Sequence, residues 1–262
     1  MLRTPIRPAV SIPVLRAPAV SALAASVGAA FYVAGRLRRR RRKPIHPDGA
    51  VLPGTLHRDG APTSWGADWL DATGEHEATV RLSRSAGLRA PLPDVLGLAV
   101  RVHVDGRPAD LLMSSAGRGA VARHVLRPSR RPGRTVYTTL VPYRSSAGSV
   151  LMAAEPVEPR DLPQRLDRMT ADLTARPLTF RLLCARPRGE WETFGTLEVG
   201  GRDGSHARRP DGDLPAERPW PDAAVSYDPV LNPLPGLRLP GVLAGMRARA
   251  YADARRARGL PG

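Results

Sequence analysis

The sequence predicts an α+β protein: an antiparallel β-barrel, closed or nearly closed, with a few helices, a C-terminal helix, and a hydrophobic helix ahead of it at the N-terminus. Three observations carry that prediction. Proline (28) and glycine (25) together make up about a fifth of the 262 residues, which favours short strands and many connections over a helical bundle. Short runs of alternating polarity recur between residues 79 and 199, the signature of half-buried strands. Helical periodicity is confined to three stretches. A charged fraction of 24% excludes wholesale disorder. Cys184 is the only cysteine, so neither an internal disulfide nor a cysteine-based zinc site can form.

The first helical stretch is residues 17–35, uncharged throughout, with Val20, Leu23, Val27 and Phe31 at helical spacing. As a helix it would measure roughly 28 Å, enough to cross the hydrocarbon core of a bilayer. Arg36 and the run Arg38–Lys43 follow at once, against Arg3, Arg7 and Arg16 before it. That bias directs residues 44–262 to the cytoplasm if the stretch is a membrane anchor; a basic leader over residues 1–43 is the alternative. The expected strands then come in order: Thr79–Ser83, Leu98–Val104, Asp110–Met113, Val136–Val141, Val150–Ala154, Thr179–Cys184 and Gly195–Val199. Asp105-Gly106 between the second and third marks a β-hairpin over 97–113. Leu162, Leu166, Met169 and Leu173 stand at i, i+4, i+7 and i+11, an amphipathic helix. Residues 201–239 read as an irregular connection, and a final helix is expected from about Val242 to Arg258.

The formal charge of +16 resembles a nucleic-acid signature until it is divided along the chain. Residues 1–43 carry +10 and residues 245–262 carry +4, leaving +2 for everything between. A folded nucleic-acid-reading face would spread its basic residues over the domain. Arginine also outnumbers lysine 39 to 1, a mark of base composition. No specific nucleic-acid partner is expected.

Chemistry concentrates in the last helix. Arg247 and Tyr251 are four apart and share a face, which Arg255 and Arg258 continue. A phenol ligates poorly until it loses its proton. A guanidinium and a ferric ion each favour the phenolate, and further arginines suit propionate carboxylates. The spacing suits a tyrosinate-ligated haem, although on its own such a pair is ordinarily a solvated face with a packed ring.

The surroundings of that helix add a resemblance. Tyr227-Asp228-Pro229, then Pro235-Gly236-Leu237 and Pro240, then Arg247-x-x-x-Tyr251-x-Asp253-x-x-Arg256-x-Arg258, resemble the haem-proximal segment of the catalase superfamily. Upstream, Leu56-His57-Arg58-Asp59-Gly60 is similar to that family's Val-His-Ala-Arg/Lys-Gly. Val80-Arg81-Leu82-Ser83 through Gly87 is similar to its Val-Arg-Phe-Ser-Thr-Val-Ala-Gly. Asp94–Val102, Asp110–Ser115 and Trp191–Val199 resemble further strands in the same order. The resemblance covers roughly residues 44–258.

It implies a catalase-like barrel over 44–262 holding one haem b. Tyr251 would be the iron ligand, Arg247 its phenolate's partner, and Arg81, Arg256 and Arg258 would meet propionates. His57 would be the acid–base group, Ser83 would orient it, and Ser115 would stand where the family has an asparagine. The substrate implied is a peroxide. A serine hydroxyl has one donor where an amide has two, so hydroperoxide reduction or rearrangement is expected over fast dismutation. The alternative is a degenerate haem-binding or haem-free scaffold without catalysis. His46, His76, His103, His124 and His206 show no pairwise metal-ligand spacing.

Overall fold

In the computed structural model, residues 48–85, 91–201 and 225–241 are described. All of them belong to one unit of the chain. Nine strands form: β1 (Asp48–Arg58), β2 (Gly74–Arg84), β3 (Leu96–Val104), β4 (Arg107–Ser115), β5 (Tyr137–Thr138), β6 (Tyr143–Ser145), β7 (Gly148–Pro156), β8 (Leu178–Ala185) and β9 (Glu192–Val199). Every pairing is antiparallel. β1 to β4 follow in order, β5 joins β4 to β7, and β8 and β9 lead back to β1. Eight strands therefore close a ring, and β6 is a short addition to β7. The expected antiparallel barrel is what forms.

Alternation assigns the two faces of each strand. Leu52 and Leu56 of β1, Val80 and Leu82 of β2, Leu98 and Val100 of β3, and Phe180 and Leu182 of β8 all point into the barrel, each at most 2% exposed. The β3–β4 turn falls at Asp105-Gly106, with φ of 51° and 74°. Those angles match the mirror-image hairpin turn that this dipeptide favours. The amphipathic helix begins at Leu166 rather than Leu162 and runs to Ala175. Pro163 pushes Leu162, the residue before it, out of helical geometry, and the backbone is still extended at Arg165, the N-cap. Leu162, Met169 and Leu173 are nevertheless buried in the core.

Besides the short β6 and the later helix start, three elements depart from the sequence reading. β1 was not anticipated because Gly49, Pro53 and Gly54 interrupt it. It tolerates Pro53 because pairing with β9 begins only at Gly54. The expected strand 136–141 shortens to Tyr137–Thr138, and the chain breaks away at Leu140, where φ is 60°. A one-turn helix at Asp68–Asp71 is held by the Asp71 carboxylate, which accepts from the backbone N–H groups of Trp65 (2.8 Å) and Ala67 (3.1 Å). The hydrophobic stretch 17–35 and the final helix 242–258 lie outside the described residues. Among the described residues no helix is long and apolar enough to cross a membrane.

Candidate functional site

The outward face of β1 to β4 carries the site. Register aligns its positions in rows: Gly49, Ser83, Gly97 and Ser114 form one, and Val51, Arg81, Ala99 and Leu112 form the next. Arg81 and Ser83 alternate on β2 with hydrophobic core residues, so both project to this face. Each is 7% exposed. A β-carbon at Gly49 would come within 2.7 Å of the Arg81 guanidinium, so the absence of a side chain there is what lets Arg81 lie across β1. Arg81 and Ser83 thus share the outward face of β2.

A third row fastens the C-terminal segment to this face. Arg101 faces Asp110 across β3–β4 and donates to both its oxygens, at 2.7 and 2.8 Å. Asp110 has no exposed surface and also accepts from the Asp228 N–H (2.6 Å) and the Asn232 amide (2.9 Å). Arg101 donates further to the Ser226 carbonyl (2.6 Å) and stacks on the Tyr227 ring. The Tyr227 hydroxyl donates to the Thr79 carbonyl at 3.1 Å. Val225 and Tyr227 pack on Val51, Ala99 and Leu112. A buried charge is tolerated only when paired and hydrogen-bonded, and Asp110 is both. This hub was missed in the sequence. Its signal was the Arg101 and Asp110 pair placed symmetrically about the Asp105-Gly106 turn.

Two expected site residues do not join. His57 lies opposite Glu75, while Ser83 lies opposite Gly49. Eight residues of β1 separate the two positions, roughly 26 Å at strand rise. The His57 side chain is 45% exposed, with its Nδ1 3.3 Å from Glu75. It meets Glu75 at the surface and is not part of the Arg81–Ser83 group. Ser115 points the other way from Ser83, because β4 places odd-numbered residues inward. Its hydroxyl accepts from the Leu96 N–H (2.9 Å) and donates to the Arg127 carbonyl (2.7 Å). With donor and acceptor both used and no exposure, it is a structural tie between β4 and the loop after it. The serine in the Ser83 row is Ser114. Arg247, Tyr251, Arg256 and Arg258 lie outside the described residues. Among the described residues no group of His, Cys, Asp or Glu could hold a metal ion. Cys184 is fully buried; burial first, then the charge of Glu192, pushes its thiol up to about 12, so it packs as a small hydrophobe.

Neither a protein-family model nor a curated protein matches the chain. Solved structures do. A bacterial catalase aligns with a TM-score of 0.58 at 13% identity, covering 88% of this chain and 60% of its own. A fungal catalase aligns with a TM-score of 0.58 at 12% identity, covering 99% of this chain and 67% of its own. The chain spans about three-fifths to two-thirds of the catalases it matches. With its ring order and its outer face described, the barrel has a catalase-like fold.

Proposed function

We propose that this chain is a haem protein acting on peroxides. The observation that carries the reading is that buried Arg81 and Ser83 share the outer face of a catalase-like barrel, to which residues 226–232 are fastened. The donor set suits such a group: a buried guanidinium for a carboxylate, a hydroxyl beside it, and a row whose other members, Gly49, Gly97 and Ser114, are small enough to face something flat. In this reading Tyr251 would hold the iron through its phenolate, Arg247 would favour that phenolate, and Arg81, Arg256 and Arg258 would meet the propionates. When bound, the haem iron supplies the redox chemistry that cleaves a peroxide O–O bond.

The acid–base role passes from His57 to His46. His46 stands three residues before Gly49, the same His-x-x-Gly spacing that His57 makes with Gly60, and Gly49 is the ladder partner of Ser83. In this reading His46 would take a proton from one peroxide oxygen and return it to the other, within the ordinary range of general acid–base catalysis. A second reading, haem binding without turnover, is favoured by Ser115, whose hydroxyl is spent on the backbone.

Titration of the full chain with hemin tests the proposal. The expected result is a Soret band saturating at one equivalent, lost in Tyr251→Phe and weakened several-fold in Arg81→Gln. A wild-type chain that takes up no hemin sinks it; hemin uptake without peroxide consumption selects the second reading.

A further inference from the structure

The end of the barrel remote from Ser83 holds a cavity of about 1350 Å³, walled by the β3–β4 turn, by Arg144–Ser146 and by the run Leu231–Arg238. Part of the wall is apolar: Val104, Leu231, Pro233 and Pro235 line it, with Leu231 62% exposed, while Leu234 and Leu237 are buried in the core behind them. Its neutral polar side chains are committed. Ser145 donates to the Gly148 carbonyl, Ser146 to the Gly66 carbonyl, and Asn232 to Asp110. Three arginines also line it, Arg107, Arg144 and Arg238, all exposed. Among the described residues, none of the three has a side-chain hydrogen bond or ion pair. Among the described residues the one carboxylate on the wall is that of Asp105, which favours the charged forms of Arg58 and His76.

Arg144 and Arg238 form an isolated antiparallel bridge. Each N–H donates to the other's carbonyl, at 2.8 and 2.9 Å. In a pair bonded this way the Cα atoms are about 5.5 Å apart and the side chains leave on one face. Like charges directly opposed across strands are destabilising. An anion between the two arginines replaces that repulsion with charge-assisted hydrogen bonds, which guanidinium forms in forked pairs to carboxylates.

We propose that this cavity binds a soluble organic anion with an apolar body, its carboxylate held by Arg144 and Arg238 and its hydrocarbon laid against Leu231, Pro233 and Pro235. A concave, mostly apolar wall with a few polar groups to fix orientation is the usual form of a small-molecule site. An inorganic anion would use the arginines and leave that wall wet. A membrane surface would not enter a concavity. The site is independent of the haem reading, and its test uses neither haem nor peroxide.

The test is calorimetric titration of the full chain with dodecanoate below its micellar concentration. Binding at one equivalent is expected, with dodecanol and inorganic phosphate each at least tenfold weaker. The double variant Arg144→Gln/Arg238→Gln should weaken dodecanoate at least tenfold while melting at or above the wild-type temperature, because the repulsion is gone. The proposal is overturned by no dodecanoate binding in the wild type, by binding unchanged in the double variant, or by phosphate binding equally well. It is also overturned by capture of phosphatidylglycerol vesicles alone, or by a double variant that melts lower, which would make the pair structural.

Discussion

His76 shows how one side chain's protonation is set by its neighbours. It sits half-buried where β2 begins. Its Nε2 faces the Arg58 guanidinium at 2.9 and 3.2 Å, and its Nδ1 lies 3.2 Å from the His103 carbonyl. Arg58 also donates to the Asp68 carbonyl at 2.7 Å and lies over the Trp69 ring. Nε2 therefore accepts, Nδ1 donates, and the ring is neutral. Burial and then the Arg58 charge hold its pKa below the usual histidine value of 6.5. The folded state binds its proton less readily than the unfolded chain, so the stability this arrangement contributes is complete above pH 6.5 and falls as the pH drops below it. Melting temperatures taken from pH 7.5 to 5.5 should decline more steeply for the wild type than for His76→Gln, whose amide both accepts and donates. Parallel curves would refute the assignment. None of this was readable in the sequence, where His76 is one of five histidines without metal-ligand spacing. Arg58, its partner, is 18 residues away in the chain.

The seam between β1 and β9 depends on two glycines. A β-carbon at Gly195 would approach the His57 carbonyl to 2.2 Å, and one at Gly54 would approach the Glu198 carbonyl to 2.4 Å. Both obstacles are backbone, so neither can rotate aside. Gly195→Ala should therefore open the seam where the ring closes, at a cost of about 1–3 kcal/mol, the range for overpacking. Urea unfolding measures the loss, and amide exchange should accelerate along β9 before it does in β3. A variant with unchanged midpoint would contradict the close approach. At this level the sequence was informative where pattern is local. The β3–β4 hairpin declares itself through alternation and Asp105-Gly106, and the helix through the Leu162–Leu173 period. β1 was hidden because its glycines and proline serve contacts with β9 and with Arg81, strands that are distant in sequence.

Closure of the ring decides which residues can work together. Strand β1 spans the height of the barrel, so its two ends serve different neighbourhoods. Gly49 meets Ser83, and His57 meets Glu75. If the peroxide reading holds, His46→Ala should lower turnover by 100-fold or more, within the usual contribution of a general acid–base group, with the Soret band kept. His57→Ala should retain most of the activity. Peroxide assays on the two hemin-loaded variants decide it, and the reverse outcome would return the role to His57. The Asp110 hub acts at the same level: it fastens residues 226–232 to the outer wall through one buried carboxylate.

Taken alone, the sequence determined the antiparallel barrel, its central hairpin, the helix that packs on the core, and the alternation that sends Arg81 and Ser83 to one face. Those features follow from periods of two and of about four residues, which act between near neighbours. Tertiary structure alone decided that His57 stands apart from that pair, that Ser115 points inward, that Asp110 anchors a segment more than a hundred residues away, and that Arg144 and Arg238 confront each other. Each of those depends on register between strands, and a shift of one residue reverses every side chain's face. Register is fixed by the closed ring, through contacts that no local pattern encodes.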